Sequence, residues 1–284
     1  MDLFDPRRCA LGEGPLWHPE RQQLFWFDIL GKRLLSRDQS GALEWQFDEY
    51  VSAAGWVDQD TLLMATGTGL YRFDINSGVR SLVVALEADN PVTRSNDGRA
   101  DPWGGFWIGT MGKQAEPGQG AIYRFYQGEV TRVFGGITIS NAICFAPDRS
   151  CAYFTDTMTR RILRQKLSPE HGWPTGVPEL FVDLTDEGQN PDGAVVDSAG
   201  CLWNSQWGAS RIARYGPDGR FLSAVDCPAE QVSCPAFGGT DLRTLFATSA
   251  AEGLAGSGEN THLQGQTWQA VQPVAGQREH QVQL

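Results

Sequence analysis

The chain has 284 residues and a formal net charge of -11, with an isoelectric point near 4.8. Phosphate binding needs concentrated Lys and Arg, so this balance excludes a nucleic-acid partner, while an acidic surface suits solubility and cations. Thirty-three glycines, ten tryptophans and fourteen phenylalanines within a 41% hydrophobic composition fit many short strands joined by glycine turns better than helices or disorder.

Taken from its start, Met1–Arg8 has no apolar export segment, and nowhere do about eighteen apolar residues run together, which predicts a cytoplasmic protein with no membrane partner. Six segments then repeat one grammar, an aromatic or aliphatic core ending in Thr, Ser or Asp: 24–28, 62–66, 106–110, 153–156, 202–205 and 245–248. Their starts lie roughly 38 to 50 residues apart, the spacing of propeller blades. Most are followed by a strand alternating apolar with basic residues, such as Gly69–Phe73 or Arg211–Tyr215, then by a turn and a more polar strand. The pattern predicts an all-β, six-bladed β-propeller with four-stranded antiparallel blades, spanning residues 1–284 as a single domain and containing little helix. Residues 251–259 read as a loop before Gly265–Trp268 resumes a strand, and either terminus could supply the strand that closes the ring. The cysteines, at 9, 144, 151, 201, 227 and 234, show no metal spacing and read as buried, reduced thiols. A bridge between Cys144 and Cys151 across a hairpin is the lesser alternative.

Polar residues stand just ahead of the predicted innermost strands. They are Glu13 in Gly12-Glu13-Gly14, Asn96 and Asp97 in Ser95-Asn96-Asp97-Gly98, Asn141 in Ser140-Asn141-Ala142, and Asp192 in Pro191-Asp192-Gly193. Any one Asp or Asn before glycine is ordinary turn chemistry. Recurrence at one blade position is not, and Glu13, a poor turn former, has flanking glycines that permit close backbone approach. Two carboxylates and an amide oxygen converging on the propeller axis make a hard-oxygen site for one divalent metal ion: Ca²⁺, Mg²⁺ or Mn²⁺, with Zn²⁺ or Fe²⁺ tolerated. Arg94 is placed to clamp a polar substrate. Histidine offers no rival: His18 reads as a turn residue after Trp17, and no H-x-x-H occurs. The absence of Gly-x-Ser-x-Gly and of a dinucleotide loop disfavours serine-triad and nicotinamide chemistry.

On these residues, together with Gly109-Thr110-Met111, the chain resembles the SMP-30/gluconolactonase family of regucalcin-like sugar lactone lactonases. The resemblance implies metal ligands at Glu13, Asn141 and Asp192 and substrate contacts at Arg94, Asn96 and Glu116. It also implies opening of an aldonolactone, of gluconolactone, xylonolactone or arabinolactone type, to the aldonic acid. Residues 276–282 resemble the endings of bacterial pentonolactone and xylonolactone lactonases, whereas Ala142 departs from the glycine many relatives carry there. Asp192 is expected to act as the catalytic base towards water, with Asp97 as the neighbour that shares the site. The partner is then a small sugar lactone, and the protein a monomer. A metal-dependent esterase or phosphotriesterase, and a non-catalytic calcium-binding propeller, are the alternatives.

Overall fold

The computed structural model describes residues 1–38, 40–254 and 261–284. The chain opens with β1 (Asp2–Asp5), which belongs to the last blade, and then lays down the other blades in order. Blade one holds β2 (Gly12–His18), β3 (Gln23–Asp28), β4 (Arg33–Asp38) and β5 (Gly41–Gln46), and blade two β6 (Val51–Asp58), β7 (Thr61–Thr66), β8 (Gly69–Asp74) and β9 (Arg80–Ala85). Blade three holds β10 (Thr93–Ala100), β11 (Phe106–Gly112), β12 (Gly120–Tyr126) and β13 (Glu129–Ile137). Blade four follows with β14 (Ser140–Phe145), β15 (Cys151–Asp156), β16 (Arg161–Lys166) and β17 (Glu179–Asp183). Blade five has β18 (Asn190–Val196), β19 (Leu202–Trp207), β20 (Arg211–Tyr215) and β21 (Phe221–Asp226). Blade six has β22 (Val232–Gly238), β23 (Thr244–Ser249) and β24 (Thr267–Val271), and β1 pairs antiparallel with β24. The N-terminus therefore supplies the closing strand, a point the sequence left open.

The six-bladed propeller is thus as expected, and among the described residues the only helix is two short 3-10 turns. Burial falls from the axis outward. Every residue of β2 is buried, while β21 is exposed along most of its length. The apolar faces of successive blades pack on one another: Phe25, Phe27 and Leu34 of blade one meet Trp56, Leu62 and Phe73 of blade two. A ring of such interfaces removes most of the exposed edges that an open sheet would leave. All six cysteines are buried and free. The 251–259 loop is described only up to Leu254, and its remainder lies outside the described residues.

The far end of the channel is closed by the chain's own C-terminus. The Ser198 N–H donates to Ala275 O, the Gln277 amide to Phe145 O and Val196 O, and the Trp56 indole to Glu279 O. Glu279 also ion-pairs with Arg99, and Val282 is buried against blades two and three. The strap leaves the central cavity open on the opposite face, where the second strands end.

Candidate metal and sugar-lactone site

Sequence placed the polar residues ahead of the innermost strands; the structure places them inside those strands, at a bulge. Pairing slips between Glu13 and Leu16, Ser95 and Gly98, Asn141 and Cys144, and Pro191 and Ala194. In each case two residues of the inner strand face one on its neighbour, which bends the strand and re-aims its side chains. The apolar run starts only after the bulge, and so the bulged residues read as a preceding turn. The shared blade position is also offset by one. Glu13 and Asn141 take the last paired position before the bulge, whereas Asn96 and Asp192 take the first bulged one.

The bulge explains the residues that flank the site. Gly14 has φ 53°, and a Cβ there would lie 2.2 Å from Ser52 O; a Cβ on Gly12 would lie 2.5 Å from Ser249 O. Glu13 is therefore pinned between two backbones that only glycine lets come so near. Ala142, at the equivalent position after Asn141, has φ 57°. An L-residue is strained there, so the glycine expected from the family resemblance would fit this backbone better.

Glu13, Arg94, Asn96, Asn141 and Asp192 line one cavity of about 150 Å³, so five of the seven expected site residues come together. Asp97 sits beside it, buried, its Oδ2 accepting from the Ile143 N–H at 2.7 Å. Glu116 is not among the lining residues, and its carboxylate accepts from the Gln114 N–H at 3.0 Å. The remaining walls were not singled out one by one in the sequence: Leu11, Met111, Ile139, Thr157, Trp207 and Glu252. Met111 lay within a motif already noted. Glu252, in a segment resembling a plain loop, gave no signal. His18, expected in a turn, is instead the last residue of β2, fully buried, with Nε2 3.0 Å from Asp58 O.

A chain of hydrogen bonds fixes the amides. Thr157 Oγ1 donates to Pro191 O at 2.8 Å and so must accept the 2.9 Å bond from Asn141 Nδ2. This turns the other end of the Asn141 amide, its carbonyl oxygen, towards Asn96, whose Nδ2 donates to it at 3.1 Å and to Ser140 O at 2.9 Å. Asn96 Oδ1 in turn takes Arg94 Nη1 at 2.7 Å. Behind Asp192, the Asn204 amide donates to the backbone oxygens of Asp192 and Gly193 at 2.9 and 3.2 Å.

Three buried acids are crowded into this floor. Burial, reinforced by the charge of Asp97, pushes Glu13 up to about 8. Burial, with Glu13 and Asp97 nearby, pushes Asp192 well above the usual carboxylate range, and burial raises Asp97 to about 6. Arg94 is the one cation on the cavity wall among the described residues, and burial weakens its own charge. Buried like charges without a balancing cation are costly, so the floor favours either protons or a bound cation. Among the described residues, no three His, Cys, Asp or Glu side chains group closely enough to hold a metal alone. The neutral Asn141 oxygen lines the same cavity as Glu13 and Asp192, and an all-oxygen trio of this kind would suit a hard divalent ion.

Comparison with known proteins places the chain in a family. The family model for the SMP-30/Gluconolactonase/LRE-like region matches residues 11–251. An L-arabinolactonase of Azospirillum brasilense is 38% identical over 260 residues, covering 89% of this chain and 85% of that protein. A 6-deoxy-6-sulfogluconolactonase of Pseudomonas putida is 36% identical over 251 residues, covering 86% and 84%. The crystal structure of a calcium-binding protein, regucalcin, from Agrobacterium tumefaciens superposes with a TM-score of 0.96 at 37% identity, covering 99% of this chain and 97% of that one.

Proposed function

The chain belongs to the SMP-30/gluconolactonase/LRE-like family, and from that premise we propose that it is a metal-dependent sugar lactonase opening a monosaccharide lactone to its aldonic acid. The observation that carries the reading is the convergence of Glu13, Asn141 and Asp192 on one small cavity that also presents Arg94 and Asn96. A propeller that only bound a cation would need the buried carboxylates but not Arg94 and Asn96 converging on the same cavity.

A divalent ion held by Glu13, Asn141 and Asp192 would supply positive charge for the lactone carbonyl oxygen and make a nearby water more acidic. The rest falls to the chain. Asp192 is the group assigned to take the proton of the attacking water, through a carboxylate oxygen not committed to the metal. It later returns a proton to the ring oxygen as the ester C–O bond breaks. Asn96, anchored to Ser140 and Asn141, and Arg94, anchored to Asn96, hold the sugar hydroxyls. Trp207, Met111 and Leu11 line the same cavity and give the C–H faces of the ring an apolar wall. Glu116 is proposed as a further substrate contact, reached when the ligand is bound. Asp97, held by Ile143, stays near the floor as a partner charge rather than a direct contact.

The test is acid release, followed by a pH indicator, from gluconolactone, xylonolactone, arabinolactone and galactonolactone. Chelated protein is used, with Ca²⁺, Mg²⁺, Mn²⁺, Zn²⁺ and Fe²⁺ restored singly. Turnover that returns with one metal supports the reading. Turnover of no lactone with any metal, or undiminished turnover in chelator, refutes it.

A further inference from the structure

Glu252 occupies the rim of the cavity, where the second strand of blade six ends. Its side chain is exposed, yet its backbone is fixed on both sides: its N–H donates to Ala10 O at 2.9 Å, and its carbonyl accepts from the Gln231 amide at 2.9 Å. The carboxylate is near enough for its charge to act on the Arg94 guanidinium. Arg94 is the only cation among the described lining residues, and Nη1 is already spent on Ser95 O and Asn96 Oδ1. An arginine in a small apolar-walled pocket would ordinarily recruit carboxylates, sulfonates and phosphates. Here a charge of opposite sign stands on the exposed lining of the same cavity.

We propose that Glu252 is a specificity-determining residue that cancels Arg94 towards incoming ligands, so that the cavity admits neutral sugar lactones and rejects anionic sugars. This rests on the lactonase reading. It also bears on turnover, because hydrolysis adds water across the ester and the resulting acid ionises, turning a neutral substrate into an anionic product. The rim charge that repels an anionic sugar from outside speeds the departure of the aldonate formed within. Low-dielectric walls strengthen both effects compared with a charge on open surface.

Wild type, Glu252→Gln and Glu252→Asp are compared, each loaded with the metal that supports turnover. The first readout is gluconate affinity by calorimetric titration, which needs no catalysis. The second is the ratio of kcat/KM for the sulfonated analogue of gluconolactone, with its terminal hydroxyl replaced by sulfonate, to that for gluconolactone. Glu252→Gln should bind gluconate about tenfold more tightly and shift the ratio about tenfold towards the anion, with both changes shrinking in high salt. Glu252→Asp should behave as wild type. A wild type that prefers the sulfonated lactone, or a Glu252→Gln variant with unchanged gluconate affinity and an unchanged ratio, overturns the proposal. If wild type opens no lactone at all, the lactonase reading fails, and the gluconate titration still decides the role of Glu252.

Discussion

Removing one acid from the floor should make the metal-free protein more stable, and Glu13→Gln is the cleanest case. Glu13 ionises at 4.5 in a free chain and at about 8 in the fold, chiefly because it is buried. Between those values the folded state holds a proton that the unfolded state has released. Its contribution to stability is therefore fully present below about pH 4.5 and is lost as pH rises towards 8. The loss amounts to on the order of 3 kcal/mol at pH 7. Gln keeps the shape and can still accept the 3.0 Å bond from the Gly14 N–H, but carries no charge to bury. In chelator, the variant should melt roughly 5 to 10 °C above wild type near pH 8 and close to it near pH 5. Some pH dependence will persist, since Asp97 and Asp192 also hold their protons too tightly. With divalent metal the gap narrows. Wild type gains about 2.7 kcal/mol when metal stands at a hundred times its dissociation constant, and the variant gains much less. Thermal melts across pH, with and without metal, read all of this. A variant less stable than wild type near pH 8 in chelator, or one stabilised by metal as much as wild type, refutes the reasoning.

Asp192→Asn removes the proposed base while keeping its bulk, and should lower kcat for lactone opening by at least about a hundredfold, measured by acid release. Wild-type turnover in that variant would dismiss the assignment. Glu279→Ala strips Arg99 of its buried partner under the channel and should cost about 3 to 5 kcal/mol in a denaturant melt, whereas a loss below about 1 kcal/mol would show that the strap does not depend on the pair. Ala142→Gly relieves a left-handed backbone at a cost in unfolded-state entropy. It should stabilise by up to about 1 kcal/mol, and a clear destabilisation would show that packing of the methyl outweighs the strain.

The blades were legible because each repeats a short chemical grammar. Phe106–Thr110 and Leu202–Ser205 announce second strands through buried aromatic and aliphatic runs, and β11 and β19 fall where those runs do. The innermost strands were legible only in their second halves. A bulge replaces apolar alternation with Glu-Gly-Pro or Asn-Asp-Gly, residues that local preference assigns to turns, and only pairing with the next strand identifies them as strand. The same limit hid His18, whose burial in β2 is decided by contacts with Phe25 and Trp56. Glu252 was invisible for another reason. Its importance is a matter of sharing a cavity with Arg94, about 160 residues away in the chain, and no local pattern encodes that.

Carboxylates at the two ends of the inner strands do different work, and their partners show why. Asp197, at the strap-side end of β18, accepts from the Ala199 and Cys201 N–H groups and the Trp203 indole, and pairs with Arg214. Asp101 does the same after β10, taking the Trp103 and Gly105 N–H groups and Arg124. Each is saturated by donors from its own blade or the following loop, so each holds a turn and can do nothing else. Asp192 lies only five residues before Asp197, but the bulge sends it to an end of the channel where the nearest charges are Glu13 and Asp97 rather than arginines in contact. Saturation thus separates these structural acids from Asp192, the acid proposed to react. It implies that an arginine brought within hydrogen-bond reach of Asp192 would turn it into another turn-holding aspartate, stabilising the channel and abolishing its chemistry together.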